Sequence, residues 1–458
     1  MARKHFGTDG IRGVANRDLT PEFCLRVGRA AGLYLLEQGL TPRVVIGADT
    51  RRSGPMIGAC VAAGICETGV DVVTMTVVPT GCISYVARTG EYGMGVMISA
   101  SHNPAPDNGI KLIAHDGCKL SDAAEERIEE LLAADLSERP VGDKLGALTA
   151  SRTDLEGYIE YLESLVPEGL DGMKVVLDGS HGAGYRVAAS VLRRLGADLT
   201  VIGVEPDGLN INLHCGATHP QTMQDLTVKM GADVGIALDG DADRAVFSDS
   251  QGRLINGDRT MAIWANHWIS ELEPKAVVGT VMSNGGFETS LESHGIELIR
   301  ADVGDRHVAA QLRRIGGLVG GEQSGHIIFT QRGPTGDGLI TFLELLRVLK
   351  REGRPASSFV DDYESWPQLL VNVTIASKEA FKECPEVQTA IAEASRMLGE
   401  RGRINVRPSG TQPMVRVMVE ADAYDLRDQA TEHVVKAFQQ HLSGTIYSRV
   451  DLTHALGD

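Results

Sequence analysis

The sequence predicts three successive α/β domains followed by a smaller α+β domain. The chain has 458 residues, which is too many for a single hydrophobic core and indicates several domains. Short apolar runs rich in β-branched residues alternate with helical stretches in three rounds, a pattern typical of α/β units with buried sheets. The rest of the chain, from about residue 367, shows a different order of elements.

The three rounds are defined by their strand candidates. In the first round, residues 54–69 carry apolar side chains at helical spacing between two strand runs. The likeness between rounds is architectural, because no residue-by-residue repeat with a fixed period is present. The predicted strands span residues 44–48, 70–78 and 95–99, then 174–178, 199–204 and 234–238, then 276–280, 296–299 and 317–320.

The C-terminal part of the chain is expected to form a smaller α+β unit. We predict strands at 369–375 and 415–420, and helices at 386–398 and 424–442. A charged stretch that contains Pro and Gly precedes the second unit, and a Ser-Trp-Pro sequence precedes the last. These breaks divide the chain into domains at residues 1–152, 153–252, 253–366 and 367–458.

Composition and charge exclude several classes of protein. The formal net charge is −17, which argues against a general nucleic-acid or anionic-membrane binder, because both need positive surface. Seven cysteines without a CxxC pair indicate a reduced, intracellular chain. The N-terminal residues lack the apolar core of a secretory signal, and no run approaches 18 apolar residues. We therefore expect a cytoplasmic protein that spans no membrane and binds no nucleic acid.

Polar, glycine-rich loops occur once in each predicted domain. They read SASHNPAPDNGIK, DGDADR and GEQSGH after the apolar strands of the three rounds, and RPSGTQ before a strand of the last unit. Ligands of α/β sheets bind at the carboxyl ends of strands. Four domains that each offer one such loop predict a single cleft between them.

The DGDADR loop predicts a metal site. Asp239, Asp241 and Asp243 directly follow an apolar strand, and three carboxylates this close repel one another unless a cation lies among them. Magnesium is the usual choice in phosphoryl chemistry. An EF-hand fails because its sixth position is Arg244 rather than Gly and its twelfth is Ser250 rather than Glu. The alternative is a solvated acidic turn, in which Arg244 only balances charge instead of reaching toward a phosphate.

Ser101 is the candidate carrier of a phosphoryl group. It leaves an apolar strand and precedes a sharp Asn-Pro turn. The loop is not a hydrolase elbow, because the G-x-S-x-G pattern is missing. His102 could assist proton transfer, and Ser99 is a competing candidate that lies less far into the loop. The alternative is an ordinary Ser-Asn-Pro turn with self-capping side chains.

The two remaining loops favour binding of a sugar and of an oxyanion. Glu322 and Ser324 offer acceptor and donor groups suited to sugar hydroxyls, although this loop taken alone is a weak signal and favours an ordinary glycine-rich turn. The last loop combines a guanidinium, two hydroxyls and a glycine-opened backbone, a composition that suits an oxyanion unless it is an ordinary surface turn. Its residues, with a second cation nearby, are Arg407, Ser409, Gly410, Thr411 and Arg416.

Five motifs in this order resemble the α-D-phosphohexomutase superfamily. They are FGTDGIRG at residues 6–13, SASHNP, DGDADR, GEQSGH and RPSGT, and they cover the chain from Phe6 to Arg416. The opening motif and GEQSGH resemble the members that act on glucosamine phosphates. The resemblance implies four domains around a deep central cleft, three of them related α/β domains with mixed sheets.

The resemblance also implies a reaction. Such enzymes interconvert glucosamine 6-phosphate and glucosamine 1-phosphate through the 1,6-bisphosphate, which feeds UDP-N-acetylglucosamine and cell-wall synthesis. Ser101 would be the phosphoserine and would hold one Mg²⁺ together with Asp239, Asp241 and Asp243.

Further roles follow from matching motif positions. Arg12, His102 and Lys111 are the candidates for the proton-transfer step. Glu322 and Ser324 would orient the sugar hydroxyls. The implied partner is a small phosphosugar, and the chain is expected to be a monomer or a homodimer. The distal phosphate would be bound by Arg407, Ser409, Gly410 and Thr411.

Some positions depart from the family pattern, and other functions stay open. Gln412 stands where a glutamate is usual, His307 where a tyrosine is common, and Thr80-Gly81 within a stretch that often reads Pro-Thr-Pro. None of them touches the phosphoserine or metal motifs. The rival functions are a phosphomannomutase/phosphoglucomutase, a phosphatase in which water attacks the phosphoserine, and a catalytically silent phosphosugar-binding protein.

Overall fold

The computed structural model describes residues 4–7, 9–134, 136, 138–409 and 414–453. The described residues contain four β-sheets, one in each domain. The first three sheets are mixed and packed with helices, whereas the fourth is antiparallel. The predicted fold class, three α/β domains followed by an α+β domain, is confirmed.

The first domain builds its sheet in the order β1-β5-β4-β2-β3-β6, in which β5 is antiparallel to both of its neighbours. Thr20 caps the first helix by accepting a hydrogen bond from the Phe23 amide, and Pro21 occupies the first turn. The elements are β1 (Ile11–Val14), α1 (Pro21–Glu37), β2 (Arg43–Ala48), α2 (Gly54–Cys66), β3 (Asp71–Val77), α3 (Thr80–Thr89), β4 (Met94–Ile98), β5 (Asp107–Ala114), α4 (Asp122–Leu131) and β6 (Leu148–Ala150).

The second domain orders its strands β11-β10-β9-β7-β8, with β10 antiparallel to β9. Its elements are α5 (Thr153–Ser164), β7 (Lys174–Asp178), α6 (Tyr185–Arg194), β8 (Asp198–Ile202), α7 (Gln221–Met230), β9 (Val234–Leu238), β10 (Ala245–Asp249) and β11 (Leu254–Ile255).

The third domain orders its strands β13-β12-β14-β15, with β15 antiparallel to β14. Its elements are α8 (Gly257–His267), β12 (Ala276–Thr280), α9 (Gly285–Glu292), β13 (Glu297–Ala301), α10 (Asp305–Ile315), β14 (Val319–Gly321), β15 (Ile327–Phe329), α11 (Gly338–Glu352) and α12 (Ala356–Asp361).

The fourth domain orders its strands β17-β18-β16-β19. The sequence interpretation missed its first and last strands in this order, because their side chains are mostly half-exposed and give weak apolar periodicity. The elements are β16 (Gln368–Thr374), α13 (Lys378–Glu383), α14 (Pro385–Leu398), β17 (Gly402–Pro408), β18 (Met414–Ala421), α15 (Tyr424–Leu442) and β19 (Thr445–Asp451).

The four polar loops occupy equivalent places in the four sheets. SASHNP lies between β4 and β5, DGDADR between β9 and β10, GEQSGH between β14 and β15, and RPSGT between β17 and β18. Each of these strand pairs is antiparallel. The first three loops are therefore hairpin turns with both ends fixed in a sheet, and the described ends of the fourth lie on the paired strands β17 and β18.

The fourth domain has a core of its own and shares a small apolar cluster with the third domain, formed by Met282, Leu370, Met418 and Leu452. One apolar cluster runs through the first three domains and includes Tyr158, Phe287 and Phe342. The fourth domain has its own cluster around Val417 and Phe438. Among the described residues, no helix is long and apolar enough to cross a membrane.

Gly81 packs closely against the buried carboxylate of Asp337 in the third domain. A Cβ at this position would lie 2.0 Å from Oδ2 of Asp337, so no larger residue fits while that side chain stays in place. Asp337 caps α11 by accepting from the amides of Leu339 and Ile340, and it accepts from the Tyr158 hydroxyl at 2.6 Å. The departure from Pro-Thr-Pro at Gly81 therefore leaves room for this cap.

Replacing Asp337 by asparagine is expected to remove a pH-dependent loss of stability. Burial raises the pKa of Asp337 to about 6, above its unfolded value of 3.8. Its folded state therefore loses relative stability as pH rises from about 4 to about 6, by about 3 kcal/mol in total. Asparagine keeps the helix cap without ionising. Urea unfolding at pH 4 and pH 7 should show that the free energy of unfolding of Asp337→Asn, relative to that of the wild type, is higher at pH 7. The same relative free energy at both pH values would contradict this expectation.

Candidate active site

A cavity of about 350 Å³ lies where the four domains meet, as the single-cleft prediction required. Each domain contributes side chains from its hairpin turn or from the adjoining strands. The residues that the sequence singled out and that line this cavity are Arg12, Ser101, His102, Asp243, Arg244, Glu322, Ser324, Arg407 and Arg416.

Ser101 is held in an unusual backbone conformation at the cavity wall. Its φ is +52°, in the left-handed region that a residue with a Cβ rarely adopts outside functional sites. Its Oγ donates a hydrogen bond to Oδ2 of Asp239 at 2.5 Å and lies 3.4 Å from Nδ1 of His102. The competing Ser99 instead donates to Asp49 and accepts from the Ser101 amide. Ser99 supports the loop, and Ser101 faces the metal-loop carboxylates.

The backbone of the Ser101 loop is clamped by Arg51, which sequence reasoning missed. This guanidinium is fully buried and pairs with Asp49 at 2.9 Å. The remaining nitrogen atoms donate to four main-chain carbonyls, at 2.5 to 3.0 Å. Arg51 lies three positions after the strand run 44–48, so its place near the carboxyl end of a strand was a usable signal. The four carbonyls belong to Ser101, Asn103, Pro104 and Asp107.

The three aspartates of the second domain form a cluster that fits a hard divalent cation. One carboxylate oxygen from each of Asp239, Asp241 and Asp243 lies within 4.8 Å of the others, and all three side chains are buried. Oδ2 of Asp241 accepts from Lys111 at 2.5 Å and from Thr80 at 2.6 Å. Within the described part of the chain, Oδ1 of Asp241 and Oδ1 of Asp243 are buried without a hydrogen-bond partner. Unpartnered carboxylate oxygens that converge are what such a cation binds.

The charges of the cluster are only partly balanced. Burial and the neighbouring carboxylates raise the pKa of Asp239 well above its usual range. Burial opposes ionisation of Asp243, but Lys111 and His326 hold the pKa of Asp243 well below its usual range. Burial also disfavours a charged Lys111, yet Asp241 and Asp243 raise its pKa. Lys111 is therefore a fixed positive charge, and a bound cation would complete the neutralisation.

The GEQSGH loop at residues 321–326, the predicted sugar loop, brings Glu322 and Ser324 to the wall of the cavity. Oε1 of Glu322 accepts from the amide of Gly304 at 2.8 Å, and Gly304 has a φ of +121°, which favours glycine. His326, which our residue assignments omitted although it ends GEQSGH, lies 3.6 Å from both Asp243 and Asp305. Burial disfavours its charged form, but these two carboxylates raise the pKa of His326 to about 8.

Two guanidinium groups face the cavity from the fourth domain. Arg407 and Arg416 are directly opposite in the β17–β18 register, and the described residues supply neither with an ion pair. Burial and the neighbouring Arg416 lower the pKa of Arg407. The Ser409 amide donates to the Met414 carbonyl and closes the turn. Gly410 and Thr411, like Gln412, lie outside the described residues. Two adjacent unpaired guanidiniums form a site for an oxyanion.

Comparison with known families accounts for nearly the whole chain. Four domain profiles of the phosphoglucomutase/phosphomannomutase family match in order. They are alpha/beta/alpha domain I at residues 3–139, domain II at 156–252, domain III at 256–366 and the C-terminal domain at 370–437.

Individual relatives agree with this match. A phosphoglucosamine mutase of Desulforamulus reducens is 47% identical over 91% of this chain and 95% of its own length. One of Cereibacter sphaeroides is 46% identical over 95% of this chain and 99% of its own length.

Solved structures share the fold. A phosphoglucomutase/phosphomannomutase family protein of Burkholderia thailandensis has a TM-score of 0.81 at 24% identity and covers 95% of this chain and 97% of its own. An Aspergillus fumigatus N-acetylphosphoglucosamine mutase, solved with GlcNAc-6P and magnesium, has a TM-score of 0.67 at 21% identity, with 96% of each chain covered. The chain therefore belongs to the phosphoglucomutase/phosphomannomutase family of α-D-phosphohexomutases, and within it to the group of the phosphoglucosamine mutases.

Proposed function

We propose that the protein interconverts glucosamine 6-phosphate and glucosamine 1-phosphate by way of a phosphoserine at Ser101. The contact between Ser101 Oγ and Asp239 Oδ2 carries this proposal, because it joins a hydroxyl at the cavity wall to the acidic cluster that we propose as a cation site. The unpaired Arg407 and Arg416 across the same cavity suit a second phosphate. The names of relatives that are 41–47% identical support glucosamine as the sugar.

The proposed reaction has two phosphoryl transfers. In the first, the bond between phosphorus and Ser101 Oγ breaks while the free sugar hydroxyl bonds to phosphorus, which gives glucosamine 1,6-bisphosphate. Arg407 and Arg416 hold the phosphate that does not react. The bisphosphate then turns end for end, and its other phosphate returns to Ser101. Glu322 and Ser324 bind the sugar hydroxyls in either orientation.

We infer that one Mg²⁺ is held by Asp239, Asp241, Asp243 and the phosphoserine. When bound, it supplies positive charge to the oxygens of the transferring phosphoryl group. Lys111 donates hydrogen bonds to Asp241 and Asp243, and Thr80 orients the carboxylate of Asp241 from the first domain. Arg244 extends the positive wall of the cavity toward the phosphate.

Three side chains were proposed for the proton-transfer step, and their surroundings favour His102. Lys111 is held in its charged form by two carboxylates and so does not accept a proton readily. Arg12 offers a guanidinium, which has only donor groups, and it would stabilise the phosphoryl oxygens. His102 lies beside Ser101 Oγ and can take the proton of the attacking hydroxyl.

The proposal also includes the location and organisation of the protein. We propose a cytoplasmic monomer or homodimer whose domain boundaries follow residues 152, 252 and 366.

The test of this proposal is a comparison of sugars with the purified, phosphorylated protein. We expect kcat/KM for glucosamine 6-phosphate to exceed the values for glucose and mannose 6-phosphates, and addition of EDTA to stop all three reactions. Inorganic phosphate should not appear at a rate comparable to isomerisation. A preference for mannose or glucose phosphate would point to a phosphomannomutase/phosphoglucomutase, and stoichiometric phosphate release would point to a phosphatase.

A further inference from the structure

A seam between the first and third domains runs beside the catalytic cavity, from residues 118–125 to residues 304–313. A second cavity of about 450 Å³ lies along this seam. Leu120 on one side and Ile328 on the other belong to separate apolar clusters. Apolar packing therefore does not close the seam at this place.

Ion pairs of both polarities cross the seam instead. Lys119 of the first domain donates to Oδ2 of Asp305 in the third domain at 2.5 Å. In the opposite sense, Arg306 of the third domain donates to Glu125 of the first at 2.8 Å and also pairs with Asp122. Charges that alternate in this way favour one alignment of the two surfaces.

Lys119 also connects two parts of the catalytic cavity. Its ammonium group donates to Oδ1 of Asp9 at 2.7 Å, and Asp9 pairs with Arg12 at 3.3 Å. Lys119 is thus the cation at which Asp9 and Asp305 meet, and without it these two carboxylates would repel each other. Both carboxylates line the catalytic cavity.

In the third domain, Asp305 lies next to the residues that support the sugar loop. Asp305 begins α10, and the preceding Gly304 donates its amide to Glu322. Asp305 itself lies 3.6 Å from His326 at the end of the same loop. A shift of Asp305 therefore moves the groups that bind the sugar relative to Ser101.

We propose that Lys119 is a positioning residue that holds the sugar loop against the first domain and retains the bisphosphate while it turns. This inference rests on the proposed mutase function. Asp305 lines the catalytic cavity and also the seam cavity, so the Lys119–Asp305 pair forms the partition between them. Loss of the pair opens a lateral exit for the intermediate and loosens the sugar site.

The test compares Lys119→Met and Lys119→Arg with the wild type, and uses Lys350→Met as a matched control. Lys350 is a half-buried lysine whose ammonium donates to the Asp171 carbonyl, and it lines neither of the two cavities. We expect Lys119→Met to raise KM about tenfold and to increase the glucosamine 1,6-bisphosphate released per turnover about tenfold, the size expected for loss of a charge-assisted contact. With saturating bisphosphate, kcat should change less than about threefold. Lys119→Arg should release nearly as little bisphosphate per turnover as the wild type does. Lys350→Met should match the wild type in both KM and bisphosphate release.

Released bisphosphate is measured by phosphorus NMR or by chasing labelled phosphoenzyme with unlabelled substrate. If Lys119→Met does not fold, as judged by its thermal midpoint, Asp305→Asn carries the same test because it breaks the same partition. Wild-type retention and KM in the folded variant would overturn the inference, and so would a fall in kcat without increased release. Absence of isomerisation in the wild type would instead overturn the proposed function.

Discussion

Replacing Ser101 by alanine is expected to reduce mutase activity by at least about 10⁴-fold, the scale on which loss of a covalent carrier acts. The side chain that would carry the phosphoryl group is removed, whereas the Arg51 bonds that hold the loop go to main-chain carbonyls and stay. Intact mass after incubation with glucosamine 1,6-bisphosphate should show one added phosphoryl group on the wild type and none on Ser101→Ala. A variant that retained full activity would refute the phosphoserine.

Ser99→Ala is the control for this experiment, since Ser99 is the competing hydroxyl of the same loop. Its Oγ bonds Asp49 and the Ser101 amide, so its loss should weaken the loop and lower activity by about tenfold. The variant should still accept one phosphoryl group. If Ser99→Ala were unmodified while Ser101→Ala was modified, the two serines would exchange roles.

Replacing Asp239 by asparagine is expected to lower activity by at least about 10³-fold and to make the metal-free protein more stable. The variant loses a ligand and a negative charge from a buried cluster of three carboxylates. Because these charges repel one another without a cation, the thermal midpoint in EDTA should rise by about 2 °C or more. The stabilisation that magnesium gives to the wild type should shrink strongly, since ligand binding stabilises only through affinity for the native state.

Asp178→Asn is the matched control for Asp239→Asn. Asp178 is also a buried carboxylate of the second domain, but it accepts hydrogen bonds from the amides of Ser180 and Gly216 and lies outside the acidic cluster. Its replacement should lower the thermal midpoint and leave the response to magnesium intact. A lower midpoint in EDTA for Asp239→Asn as well would show that charge repulsion does not dominate the cluster.

The fold was predictable because hydrophobic periodicity reports buried strands well. The runs 44–48, 234–238 and 276–280 all became central strands that are largely or wholly buried. Strands β17 and β19 were missed, because one flanks a polar loop and the other is largely exposed. Periodicity carries little information where both faces of a strand meet water.

The site was predictable where its residues belong to one short motif or lie close to it in the chain. The spacing of the acidic residues predicted the cluster of Asp239, Asp241 and Asp243. The position of Ser101 at the end of a strand predicted its place in the site. Thr80 contacts Asp241 across 161 positions of sequence, so no local pattern could connect them. Such contacts depend on how the domains dock, which motif spacing does not encode.

Arg51 fixes the main-chain path of the Ser101 loop independently of the side chains that the loop carries. The guanidinium binds carbonyl oxygens, which every residue type possesses, and it binds no side chain of the 101–104 segment. If Ser101 carries a phosphoryl group as proposed, the loop would gain and lose that doubly negative group without exchanging the bonds that define its path. The same arrangement means that a substitution of His102 would test the chemistry of this side chain while the main-chain path of the loop stays constant.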